Sequence, residues 1–211
     1  LKLLGENLPK FDQILNTMQK RIAIFASGSG TNAENLVHFF KKESDVIVPL
    51  ILTNNPNAGV ITRAKSLDVP VVVFDRKTLN DTPEIDTLLE DNEIDLVVLA
   101  GFLIKIPNRL IHKYRNRMVN IHPSLLPKYG GKGMYGSKVH EAVIANQEEE
   151  SGITIHFVNE HYDEGAIIFQ ATCQIVANDN ALELAKKIHQ LEHEHFPLIV
   201  RKLIKNIEID D

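Results

Sequence analysis

Two residues two apart in this 211-residue chain are of types suited to acid–base chemistry. Asn120 and His122 close a short apolar run, Met118-Val119-Asn120-Ile121, that reads as a strand. Residues two apart on a strand share a face. Pro123 prevents a helix from following directly, because proline lacks an N–H and holds the residue before it extended. An amide and an imidazole therefore stand side by side at a strand's carboxyl end, where open α/β sheets bind ligands. The amide can steady a developing oxyanion, and the imidazole can pass a proton near neutral pH. An isolated N-x-H is more often a polar strand end beside a turn, so the rest of the chain must decide.

A second constellation lies near the start. Arg21 to Ala26 reads as a compact strand, followed by Ser27-Gly28-Ser29-Gly30-Thr31-Asn32 and then helical spacing of Leu36, Val37, Phe39 and Phe40. Strand, Gly-rich turn and helix form a phosphate cradle, since glycine permits close backbone approach and the helix start offers free N–H groups. The turn also fits the dinucleotide pattern G-x-G-x-x-A. The next strand, Val46 to Leu52, ends on Thr53-Asn54-Asn55-Pro56 without the acid a dinucleotide ribose requires. That favours a mononucleotide or sugar phosphate over NAD.

The elements that must position these residues alternate strand and helix. Gly59 to Leu67 reads as a helix carrying Arg63, and Val71 to Phe74 as a third strand. Thr82 and Pro83 open a helix as cap and first residue. Leu96 to Ala100 is apolar throughout, as buried parallel strands are. After it, Phe102-Leu103-Ile104-Lys105-Ile106-Pro107 is an apolar loop suited to core packing or to a flat ligand. A short helix from Pro107 to Tyr114 leads into Met118. Lys128 to Gly136 holds four glycines in seven positions and reads as a mobile loop. Val139 to Ala145 resumes a helix. Strands over Gly152 to Val158 and Ala166 to Val176 flank the acidic loop Asn159 to Gly165, which suggests a hairpin. Asn180 caps a long last helix, interrupted near Pro197. The expected fold is α/β: a doubly wound, mostly parallel sheet with an antiparallel strand near the C-terminal part.

Composition narrows the partners. The net charge of −5 gives no basic face for nucleic acid. No apolar run approaches a membrane span, and no secretory leader pattern is present. The single cysteine, Cys173, excludes a disulfide framework and a thiolate zinc site and fits a reducing cytoplasm. His189 and His193 are four apart on the last helix, but H-E-x-x-H fails at Pro197, so no metal is expected. Residues 1–19 are read as an N-terminal extension or weak helix, and 20–211 as one domain.

Together these segments resemble the glycinamide ribonucleotide transformylase family, from about Lys20 to Lys205. The most specific part is Asn120-Ile121-His122-Pro123-Ser124-Leu125-Leu126-Pro127, common to enzymes that use formyltetrahydrofolate. Ser27 to Asn32 is similar to the family's phosphate loop, Gly152 to Val158 with Asp163 to its second active-site segment, and Lys132-Gly133-Met134 to its ribonucleotide-branch loop. Glu192-His193 before Phe196-Pro197 is similar to its closing E-H-x-x-[YF]-P.

The resemblance implies formyl transfer from 10-formyltetrahydrofolate to glycinamide ribonucleotide in purine biosynthesis, in the cytoplasm, by a monomer or homodimer. It implies that Asn120, His122 and Asp163 are catalytic, with Asp163 keeping the imidazole protonated. Gly28, Ser29, Gly30, Thr31 and Asn32, helped by His189 and Glu192, would hold the ribonucleotide. Arg63, Leu103, Ile104, Lys105, Ile106, Asn120 and the loop Asn159, Glu160, His161, Tyr162, Asp163 would hold the folate. Ile104 stands where the family usually has Arg, Tyr162-Asp163-Glu164-Gly165 where D-G-G is common, and Met134 to Val139 departs from a histidine-bearing pattern. The alternatives are a formyltetrahydrofolate hydrolase, which usually carries a regulatory domain ahead of the catalytic one; an initiator-tRNA formylase, which expects a further C-terminal domain and a basic surface; and a non-catalytic nucleotide-binding regulator.

Overall fold

A computed structural model describes residues 19–207 of the chain. The expectation for the N-terminal extension therefore lies, but for its last residue, outside the described residues. Seven strands form one sheet: β1 (Lys20–Phe25), β2 (Val46–Thr53), β3 (Val71–Val73), β4 (Leu96–Leu99), β5 (Met118–His122), β6 (Glu150–Phe157) and β7 (Ile167–Gln174). Their order is β3-β2-β1-β4-β5-β6-β7. The first five neighbours run parallel, whereas β6 is antiparallel to both β5 and β7. The doubly wound, mostly parallel sheet is as expected, and the antiparallel character extends to the β5–β6 pair as well as the hairpin.

Alternation along the strands sorts side chains to the two faces. Ile22 and Ile24 of β1, with Val98 of β4, join one buried cluster. It is covered by α1 (Thr31–Phe40), α2 (Gly59–Ser66), α6 (Ser137–Ala145) and α7 (Ala181–Lys205). Ala23 and Phe25 with Val97 and Leu99 join the other cluster. That face carries α3 (Arg76–Asp81), α4 (Glu84–Asp91) and α5 (Asn108–Lys113). Each fully buried Ile, Leu or Phe contributes roughly 1.5–3 kcal/mol, so the central strands anchor both layers.

Strand order reverses between β1 and β4. Their following loops diverge there and open a crevice at the carboxyl edge. The loops are tied at their roots: Ser27 N–H donates to the Gly101 carbonyl at 3.0 Å, and Leu103 N–H to Ser27 Oγ at 3.0 Å.

Two local expectations differ. Helix α3 is absent from the sequence reading; it is six residues long and rests on Asp75, whose carboxylate accepts from Thr78 N–H at 2.7 Å. Pro83 is then the N-cap of α4, not its first residue. The second difference is Pro197, which does not interrupt the last helix: α7 runs unbroken for 25 residues. Proline removes the N–H that would have bonded the carbonyl of His193. The Asn35 amide from α1 donates to that carbonyl instead, at 2.9 Å, and satisfies it from outside the helix.

Candidate functional site

β5 carries the polar pair at its end. Met118 begins the face, and Asn120 and His122 continue it by parity. The β5–β6 register sets Asn120 opposite His156 and His122 opposite Thr154. Four polar side chains thus cluster on adjacent strands, and all but Asn120 are buried.

Asp163 arrives from an unexpected direction. Because β6 runs antiparallel, its end at Phe157 lies level with the start of β5. The loop after it must fold back over the sheet to reach Asn120. Gly165 makes that return close: a Cβ there would sit 1.7 Å from the Phe157 carbonyl oxygen. Asp163 itself adopts a left-handed φ of 58°, a region Asp tolerates better than most residues. Its Oδ2 lies 3.6 Å from His122 Nδ1 and accepts from Gly131 N–H at 2.8 Å. Its Oδ1 lies 3.5 Å from Asn120 Nδ2 and 3.7 Å from His156 Nε2.

The tautomers follow from the acceptors. His122 Nε2 lies 2.8 Å from the Tyr129 carbonyl, so it carries a hydrogen, and Nδ1 is the nitrogen that gains or loses a proton. His156 Nδ1 likewise faces the Phe157 carbonyl at 2.8 Å. In neutral His156, Nε2 then accepts from Asn120 Nδ2 at 3.1 Å. This network assigns the amide's orientation. One Asn120 N–H is committed to His156; the other is directed at Asp163 over a long contact that a substrate oxygen could replace.

Opposing influences act on the imidazole. Burial pushes the His122 imidazole below its ordinary 6.5 and outweighs Asp163 and the Tyr129 carbonyl, which raise it. Asp163 therefore limits the fall and does not produce a net rise. Burial also acts to raise the Asp163 carboxyl, but the neighbouring imidazoles of His156 and His122 and the Gly131 N–H together hold it below the ordinary carboxylate range. Asp163 is thus ionised at neutral pH.

Two hollows meet at this cluster. A cleft of about 500 Å³ is lined by Gly28 to Asn32, Gly131 to Gly136, His140, His189 and Glu192, together with His122. A smaller hollow of about 70 Å³ is lined by Phe102, Ile104, Lys105, Ile106, Asn159 and His161, with His156 at its base. Phe102, Asn120, Tyr162 and Asp163 line both. Leu103 faces the larger cleft and is 48% exposed. The apolar loop after β4 thus serves packing and lining at once: Phe102 stacks edge-on against Phe25 at 5.3 Å, while Ile104 faces the hollow.

The glycine turn is built for close approach. Gly30 caps α1 with φ 79°, and a Cβ there would meet Val60 at 2.5 Å. The first-turn N–H groups of α1 have no intrahelical partners and point outward. Asn32 donates to Glu192 Oε2 at 2.9 Å, and His189 Nδ1 meets the same oxygen at 2.9 Å. That bond to Glu192, against partial burial, raises the His189 pKa. Among the described residues no group of three or more His, Cys, Asp or Glu side chains is arranged to hold a metal ion. Among them, too, no helix is long and apolar enough to cross a membrane.

Two residues expected at the folate stand apart from both hollows. Arg63 turns to the back of the glycine turn, donating from Nε to the Ser29 carbonyl at 2.9 Å and pairing with Glu34. Glu160 pairs with His112 at 3.0 Å on the surface. His156 was missed as a site residue. Its signal was the alternation of Gly152 to Phe157, which puts Thr154 and His156 on one face, but only the pairing register brings that face to Asn120.

Known proteins resemble this chain in sequence and in fold. The formyl transferase family model matches residues 20–200. A phosphoribosylglycinamide formyltransferase of Vigna unguiculata, described as chloroplastic, is 42% identical over 193 residues, covering 88% of this chain and 61% of that protein. The chain thus spans about three-fifths of that plant relative. The Bacillus subtilis phosphoribosylglycinamide formyltransferase is 33% identical over 190 residues, covering 88% of this chain and 95% of that one. The crystal structure of the corresponding protein from Anaplasma phagocytophilum superposes with a TM-score of 0.82 at 33% identity, covering 89% of this chain and 88% of that one.

Proposed function

The chain belongs to the formyl transferase family, and from that premise we propose that it moves the formyl group of 10-formyltetrahydrofolate to the amine of glycinamide ribonucleotide. Residues 20–211 would form the catalytic domain. The observation that carries this reading is the position of Asn120 and Asp163 on the wall shared by two dissimilar hollows. One hollow has a phosphate-type turn and is wide; the other is narrow and carries Leu99, Phe102, Ile104, Ile106 and Val158 opposite the polar groups. A transferase needs its donor and acceptor to meet at the acid–base groups, and this is the arrangement such a reaction requires.

The ribonucleotide phosphate would sit on the turn from Gly28 to Asn32, against backbone N–H groups and the helix dipole. Glu192 would accept from ribose hydroxyls through the oxygen that Asn32 and His189 do not use. The pterin would enter between Ile104, Ile106 and the Asn159–Asp163 loop. The neutral amine then attacks the formyl carbon, and the carbonyl electron pair moves onto oxygen. Asn120 Nδ2 and an imidazolium at His122 stabilise that oxyanion. His122 Nδ1 gives its proton to the folate nitrogen as the C–N bond breaks, and the proton released by the new amide restores the balance. Burial makes the His122 imidazolium a stronger acid than a free one, while Asp163 keeps enough of it protonated to act.

The test is direct. The protein is mixed with 10-formyltetrahydrofolate and glycinamide ribonucleotide, and the deformylated folate is followed by absorbance. Release that depends on the amine supports transfer. Release without it identifies a hydrolase, and no release with either points to a binding protein.

A further inference from the structure

His140 has no part in the reaction as described, yet it lies in the wall of the larger cleft. It is the fourth residue of α6 and only 5% exposed. Its Nδ1 is fully buried without a hydrogen-bond partner, and among the described residues no bond to its Nε2 is present either. An imidazole left unbonded in a protein interior is costly, because a polar group removed from water needs a partner. Nδ1 is sealed from the cleft, whereas Nε2 is neither bonded nor fully buried, so it is the nitrogen that a molecule in the cleft can reach.

Its surroundings indicate what that molecule is. The same cleft wall carries the glycine turn, Glu192 and His189. Asn32, at the start of α1, likewise keeps a fully buried, unpartnered oxygen, Oδ1. Two residues that line the same cleft thus carry polar atoms the fold itself does not satisfy. The smaller hollow includes neither of them.

We propose that His140 is a further ribonucleotide-binding residue, which donates a hydrogen bond to the sugar-phosphate part of the acceptor and helps set the specificity of that end of the cleft. This rests on the formyl-transfer reading above. Glu192 and His189 from α7, His122 from β5 and Glu141 from its own helix are the titratable groups around it. Burial and the two histidines keep the ring neutral, with Glu192 and Glu141 opposing. A neutral ring offers one N–H, which suits a phosphate or hydroxyl oxygen without adding a buried charge.

The experiment compares wild type, His140→Leu and His140→Gln in steady-state assays with both substrates varied. His140→Gln can place an amide N–H near the position of Nε2. The expected result is a ribonucleotide KM raised about tenfold in His140→Leu, the worth of one hydrogen bond (~1.4 kcal/mol). The KM for 10-formyltetrahydrofolate should stay within twofold, and His140→Gln should recover part of the loss. A purely structural role would move both KM values or lower the melting temperature of both variants together. An unchanged ribonucleotide KM in His140→Leu, or equal rises for both substrates in both variants, overturns the proposal. If His140→Leu does not fold, His140→Gln decides by the same split. Absence of amine-dependent transfer in wild type overturns the functional reading itself, and so is distinct from failure of the His140 assignment alone.

Discussion

Replacing Asp163 with Asn removes a charge while keeping the shape. The left-handed backbone at 163 is one that Asn adopts readily, and its amide oxygen can still accept from Gly131 N–H. The carboxylate lies 3.6 Å from His122 Nδ1, with the two side chains 13% and 5% exposed. At an effective dielectric of about 20, unit charges at that separation attract by ~4.6 kcal/mol, or ~3 pKa units. Sharing of the carboxylate with Gly131 and His156 reduces this, so a fall of roughly one to three units in the His122 pKa is expected. The alkaline limb of the kcat profile should move to lower pH by the same amount. Near neutral pH the imidazolium fraction, and kcat with it, should fall about tenfold or more, while both KM values change little. An NMR titration of the His122 ring in wild type and Asp163→Asn, without substrate, measures the shift directly. His122→Ala should be nearly inactive, and adding Asp163→Asn should cost little further, since the two act as a unit. An unchanged titration and pH profile, or two losses that simply add, would refute the coupled pair.

Other outcomes follow from the same geometry. Gly30→Ala combines a left-handed φ with a clash against Val60; it should cost roughly 2–4 kcal/mol in urea unfolding and raise the ribonucleotide KM far more than the folate KM. Asn35→Leu leaves the His193 carbonyl without its outside partner at Pro197, which should cost about 1 kcal/mol and loosen exchange protection in that turn of α7. His122 and His140 titrate below 6.5 in the folded protein, so on acidification the unfolded chain takes up their protons first. Their effect is a melting temperature that is highest above pH 6.5 and declines below it, and His140→Leu should flatten that decline. His189, whose pKa is raised by Glu192, acts in the opposite sense: its contribution is full below 6.5 and lost as pH rises through its folded pKa.

The fold was legible because its signals are local. Apolar strands with Gly-rich or Pro-marked ends, alternating with helical spacing, lead to a parallel sheet with few alternatives. Asn120 and His122 were legible because two residues on one strand share a face whatever the tertiary context. The strands' neighbours were not, since pairing register is a long-range property: nothing near His156 says that it will face Asn120. Pro197 misled for a similar reason, as the group that compensates for it, Asn35, lies 158 residues earlier than the His193 carbonyl it bonds. The partners of Arg63 were not legible because a helix position beside the ligand edge does not fix where a long side chain turns; it bonds the Ser29 carbonyl and pairs with Glu34. The net effect on His122 required burial, which cannot be read from Asp163 alone.

The bonds from Asn32 to Glu192 and from Asn35 to His193 have a bearing on how the protein is made. They join α1 to α7, so part of the proposed ribonucleotide corner is contributed by residues made 160 positions after Asn32. A growing chain could form the parallel part of the sheet and the glycine turn early, and still be unable to hold the acceptor. Activity would appear only once α7 has left the ribosome and docked. The same seam makes α7 a natural point of division: a fragment ending before Ala181 and a separate peptide of residues 181–207 should regain transfer only when mixed. Glycinamide ribonucleotide should strengthen their association, because the site proposed for it lies across the joint.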